Sequence, residues 1–119
     1  MAEDRKTEIA RAMPYPTAQV APYVDALGAE LAVTFLLAYG GAELNLSNDP
    51  KGRSAYEALL GYDGAKALSV QPRLQKRVPL AKRWLAAMLH WQGNSTAAIA
   101  RQLRASDVSV RRWLKEWKA

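Results

Sequence analysis

Ser95-Thr96-Ala97-Ala98-Ile99-Ala100-Arg101-Gln102-Leu103-Arg104-Ala105-Ser106-Asp107-Val108-Ser109-Val110-Arg111-Arg112-Trp113-Leu114 is the stretch that decides how this chain is built. Ile99 and Leu103 lie four apart, so they share one face of a first helix. Val110, Trp113 and Leu114 do the same on a second. Ala100 sits where two helices cross closely and only a small side chain fits. Ser106 is placed to cap the second helix through its side-chain oxygen. Between the helices, Arg104 must take a left-handed backbone, at a cost of about 1 kcal/mol for a residue with a Cβ.

A third helix is expected immediately upstream, over 79–92. Pro79 suits its first turn, the stripe Leu80, Trp84, Ala87, Met88 and Trp91 gives it an inner face, and Gly93 closes it. With this support the stretch resembles a helix-turn-helix, whose turn usually carries glycine where Arg104 stands. The second helix then offers Asp107, Val108, Ser109, Arg111, Arg112 and Lys115 to solvent, or to a DNA major groove about 12 Å wide.

The charge distribution points the same way. The 119 residues carry a net +6, yet residues 1–72 hold 6 basic and 9 acidic side chains, whereas residues 73–119 hold 11 basic ones against Asp107 and Glu116 alone. A carboxyl-terminal module at +9 beside an amino-terminal one at −3 implies an anionic partner for the former only. Double-stranded DNA is the partner expected. Arg111 or Arg112 is expected to pair with guanine O6 and N7, and Ser109 to reach a base edge or a phosphate. Ser95 and Thr96, at a helix amino terminus, suit a phosphate oxygen, while Lys82, Arg83, Arg101 and Arg104 supply charge that is not sequence-specific.

Other chemistries are poorly provided for. Cysteine is absent and there is one histidine, His90, so neither a disulfide framework nor a thiolate or polyhistidine metal site is available. No paired-carboxylate, Ser/His/Asp or phosphate-cradling glycine arrangement stands out, and neither enzymatic activity nor a cofactor or metal is expected. No apolar run reaches the ~18 residues that span a bilayer, and Met1–Lys6 is polar, without the apolar core of a secretion signal. A cytoplasmic location and no membrane partner are expected. The four Trp, at 84, 91, 113 and 117, read as core residues and not as stacking platforms for bases.

The first 72 residues have a different character. Pro14, Pro16 and Pro22 interrupt residues 1–22, which read as a flexible lead-in. A dimerisation region is expected over 23–72. There Val24, Leu27, Leu31, Phe35 and Ala38 share one helical face, with a break at Gly28, and Val33, Leu36 and Leu37 occupy the other side. A helix apolar on every side must be buried on every side, and a second copy of the chain is the expected cover. Gly40-Gly41 ends this helix, and Glu43–Ser47 alternates as a short strand that would pair with its symmetry mate. Leu27, Leu31, Phe35, Leu36, Leu44 and Leu46 are the expected dimer contacts.

Ser54 and Glu57 form a capping-box pattern for a helix that Gly61 interrupts and Asp63 resumes. Residues 23–35 and 56–68 align at an offset of 33, with Tyr23/Tyr56, Leu27/Leu60, Gly28/Gly61 and Ala32/Ala65 identical. Two helix-Gly-helix units follow from this weak repeat, each leading into an extended segment. Residues 73–78 read as a basic linker into the 79–119 module. The fold class expected is therefore mainly α: a helical dimerisation region with one short strand, then a three-helix unit.

With those residues in place, the chain from about Tyr23 to Trp113 resembles the Mor/C family of phage transcription activators. The likeness is carried by the helix Leu27–Tyr39 ending in Gly40-Gly41, the segment Glu43–Ser47, Leu60-Gly61-Tyr62-Asp63-Gly64-Ala65, Arg77-Val78-Pro79 and the helix-turn-helix. Its first extended segment has Leu44-Asn45-Leu46-Ser47 where the family's strand ends in an aromatic-Ile-Pro sequence. The resemblance implies an intertwined homodimer placing two helix-turn-helix units on a dyad-symmetric promoter element and recruiting host RNA polymerase. Two other functions fit the residues: the DNA-targeting module of a recombinase or packaging complex, and a basic protein–protein interaction domain.

Overall fold

The computed structural model describes residues 12–44 and 55–118. Among them the fold is mainly α, with six helices and no sheet: α1 Ala21–Leu27, α2 Ala29–Tyr39, α3 Ala55–Ser69, α4 Lys82–Trp91, α5 Thr96–Leu103 and α6 Asp107–Lys118. The amino-terminal helices pack α1 on α2 and α3, the carboxyl-terminal ones pack α4, α5 and α6 on one another, and α2 touches α4. One continuous apolar core runs through both groups.

Gly28 separates α1 from α2 at φ 81°, ψ 160°. Gly61 kinks α3 at φ 76°, ψ 167°. Both lie in a region open essentially to glycine alone. The two helix-Gly-helix units of the repeat are thus matched in backbone as well as sequence. Two of their equivalent pairs are matched in burial, Ala32 with Ala65 and Phe35 with Leu68, whereas Tyr23 is buried and Tyr56 half-buried, and Leu60 is buried and Leu27 half-buried.

α2 is not buried on every side: Glu30, Thr34 and Ala38, four residues apart, form an exposed stripe, and the rest of its surface is covered, wholly or in part, from within the chain. Phe35 and Leu36 are completely covered by the chain's own residues, so they are not available as dimer contacts. The Phe35 ring lies 5.7 Å from Tyr23, 5.2 Å from Tyr39 and 5.6 Å from Tyr56 between centroids. Such pairs add about 0.5–1.5 kcal/mol each beyond their burial. Leu27 and Leu31 are half-buried, and Leu44 also packs against the core. Leu46 lies outside the described residues, as does Ser54 of the capping box.

The expected strand is seen only as a single antiparallel bridge, Glu43 with Arg77. Asn45–Ser47 lie outside the described residues. The pairing is internal: Gly41 N donates to Val78 O at 2.7 Å, Val78 N to Ala42 O at 2.9 Å, and Leu44 N to Lys76 O. Residues 41–44 and 76–78 follow the two repeat units, and Leu44 and Arg77 stand at the repeat offset. The described backbone that was expected to need a symmetry mate is paired with the chain's own second copy of the unit.

Two boundary expectations need correction. Residues 12–22 are not a loose lead-in, because Val20 and Pro22 are buried and Trp84 bonds to Pro14. Nor is 73–78 simply a linker, since Val78 is 1% exposed and its amide is paired. Pro79 and Leu80 also precede the third helix instead of opening it. Ala81, left-handed at φ 51°, stands at its N-cap, and Leu80 is 56% exposed. Its buried run is continuous, Trp84 to Leu89, because α2, α5 and α6 cover it from several sides.

Candidate nucleic-acid interface

The turn between α5 and α6 is built as the spacing requires. Arg104 has φ 52°, ψ 48°, the left-handed conformation. Ala105 N donates to Ala100 O at 2.9 Å and Arg104 N to Arg101 O at 3.4 Å. These are the crossed bonds that close a helix and satisfy its last carbonyls. The same pattern closes α4, where Asn94 N bonds Leu89 O and Gly93 N bonds His90 O, both at 2.9 Å.

Each following helix starts on a serine. Ser95 Oγ accepts from Ala98 N at 3.1 Å, and Ser106 Oγ accepts from Ser109 N at 3.0 Å. Ser106 Oγ in turn donates to Ser109 Oγ at 3.0 Å. Ser109 is half-buried, and its hydroxyl oxygen accepts from the cap. Asp107, exposed in the first turn of α6, is favourably placed against the positive end of the helix dipole.

α6 has two unlike faces. Val110 is fully buried, and Trp113, Leu114 and Trp117 pack against the core. On the other side, Val108, Arg111, Arg112 and Lys115 are all exposed at spacings of three, four and seven residues. Those spacings put them on a single stripe. Ile99, Ala100 and Leu103 of α5 are buried beneath, and Arg101 is exposed on that helix.

The remaining expected contacts fall elsewhere. Lys82 and Arg104 meet in an open groove of about 400 Å³, walled by Leu36, Leu37, Leu85 and Leu103, to which no described residue of α6 contributes. Thr96 is half-buried in the first turn of α5. Arg83 pairs with Glu116 across α4 and α6 at 3.7 Å, an exposed pair of little energetic consequence. His90 and Trp117 line a small apolar cavity of about 140 Å³ with Ala12, Pro14, Ala87, Trp91 and Leu114. Among the described residues no cluster of ligating side chains capable of holding a metal is found, and no helix is long and apolar enough to cross a membrane.

Val108, which the sequence already places on the outward face of the second helix, stands apart in chemical type. It is 64% exposed at the head of the cationic stripe, whereas the other apolar side chains described in α6 face the core. Its signal in the sequence was positional: it precedes Arg111 by three and Arg112 by four.

No curated protein and no solved structure matches the chain significantly. Residues 77–119 match a family model described as a homeodomain-like domain, which spans α4, α5 and α6 and supports a helix-turn-helix DNA-binding module, though not the Mor/C family in particular.

Proposed function

We propose that this protein is a sequence-specific transcription regulator that reads duplex DNA by setting α6 into the major groove. The observation that carries the reading is the stripe Arg111, Arg112 and Lys115, exposed on a helix whose opposite face is locked into the core at Val110. Three cations on one rigid stripe satisfy the electrostatic and hydrogen-bonding requirements of groove reading together. Ser95, Thr96 and Arg101 contribute phosphate contacts that set the register of the helix. Ser106 and Asp107 organise the entry to α6, and Ser109 steadies the cap.

The resemblance to phage activators supports a finer version: a homodimer on a dyad-symmetric element that recruits host RNA polymerase. Its dimer contacts would come from half-buried Leu27 and Leu31, since Phe35 and Leu36 are occupied in the core. Sedimentation of the purified protein, free and on its site, decides between one and two copies.

Selection from a random-sequence duplex library tests the central reading. A defined motif should be enriched, and log affinity should fall with log salt at about −0.9 per phosphate contacted. Arg112→Ala should lose discrimination between the selected motif and a scrambled one by a factor of roughly 10 to 100. Failure to enrich any motif would rule the reading out.

A further inference from the structure

Val108 has no role in holding the fold. It is 64% exposed, β-branched in a helix, and lies on the face opposite Val110. A β-branched residue there gains nothing from packing and has a helix propensity below that of alanine. It stands nevertheless on the same stripe as Arg111, Arg112 and Lys115, in the first turn of the helix assigned to the groove. An exposed apolar group among cations has one natural partner in the major groove. Of the groups the bases present there, only the 5-methyl of thymine is apolar.

We propose that Val108 is a specificity-determining residue whose isopropyl group packs on a thymine 5-methyl. This rests on the DNA reading above and adds a base identity to it. Side chains three and four residues apart on a helix are about 5–6 Å apart, against a rise of about 3.4 Å per base. The thymine should therefore lie within about two base pairs of the guanine read by Arg111 or Arg112. No bond is made or broken; the gain is removal of two apolar groups from water.

The test uses the full chain and the motif recovered by selection from random duplexes. Each thymine of the motif is replaced in turn by deoxyuridine, which keeps every hydrogen-bonding group and lacks only the methyl. The replacement should weaken wild-type binding about fourfold at one position, the factor carried by one buried methyl-sized group. Val108→Ala should bind the thymine motif about fourfold or more weakly, yet be indifferent to deoxyuridine at that position. Because Val108 is exposed, that variant retains the fold, which its circular dichroism checks.

Affinity unchanged by deoxyuridine at every position, or an equal penalty from deoxyuridine in wild type and Val108→Ala, overturns the assignment while leaving the DNA reading intact. If no motif is enriched, the DNA reading and this assignment fall together.

Discussion

The indole Nε1 of Trp84 donates a hydrogen bond to the carbonyl oxygen of Pro14 at 3.2 Å, across 70 residues of chain. It ties the segment ahead of α1 to the central helix of the carboxyl-terminal module, and Trp84 itself is 2% exposed. A buried donor of this kind is costly to leave unpaired. Trp84→Phe should lower stability by about 1–3 kcal/mol, seen as a smaller urea midpoint at unchanged m-value. In a chain lacking residues 1–16 the same substitution should cost about 1 kcal/mol less, the coupling expected of one hydrogen bond. Equal costs in the two backgrounds would show that the bond contributes nothing.

The left-handed turn residue gives a second prediction. Arg104 at φ 52° holds a conformation that glycine adopts freely. Arg104→Gly should raise stability by about 1 kcal/mol, while Arg104→Ala, with the same backbone penalty, should leave it nearly unchanged. Both remove the same charge. Equal thermal midpoints for the two variants would mean the turn relaxes without strain.

Gly28 and Gly61 offer the reverse experiment. A Cβ at either position would meet no atom within 4 Å, so substitution meets no steric obstacle. Their φ values of 81° and 76° are the whole difficulty. Gly28→Ala and Gly61→Ala should each cost about 1–3 kcal/mol, by equilibrium denaturation, through backbone conformation alone. Loss at one site and not the other would break the equivalence of the repeat units.

Alkaline pH should expose the state of Tyr23. Burial first, and then the neighbouring Tyr56, push its phenol up to about 12 from 10. Its hydroxyl has no hydrogen-bond partner among the described residues. The folded chain therefore holds the proton where the unfolded chain releases it. This contribution is fully present below pH 10 and is lost as pH rises toward 12. Tyr23→Phe should abolish that part of the decline in the denaturation midpoint, with little cost at pH 7 because no hydrogen bond is removed. A wild-type midpoint flat from pH 9 to 12, or a decline identical in the variant, would contradict it.

Much of the carboxyl-terminal module was legible in the sequence. Ile99, Leu103 and Val110 declare their faces by spacing, Ser106 by its place before an apolar run, and Arg104 by the geometry that a turn between two crossing helices imposes. These are local rules, acting within one or two helical turns, and local rules are written into short stretches. The cationic stripe was legible for the same reason, since helical phase alone places Arg111, Arg112 and Lys115 together. The contact between the hydroxyls of Ser106 and Ser109 was less legible, because it depends on side-chain rotamers and not on helical phase.

The amino-terminal half shows where such reading stops. Periodicity announced the broad apolar surface of α2, though Glu30, Thr34 and Ala38 leave one stripe of it exposed, and the extended character of Glu43 and Leu44. It carried no information on what partner either takes, since a face and a ladder are equally satisfied by a second chain or by a distant segment of the same one. The tertiary structure assigns both within the chain: Tyr23, Tyr39 and Tyr56 surround Phe35, and residues 76–78 pair with 41–44. Pairing at long range is settled by which surfaces close the core together, a property of the assembled chain and of no single stretch of it. Helix positions, serine caps and the charged face are written in short stretches of the chain, whereas the partner that covers an apolar surface is fixed only when distant stretches close on one another.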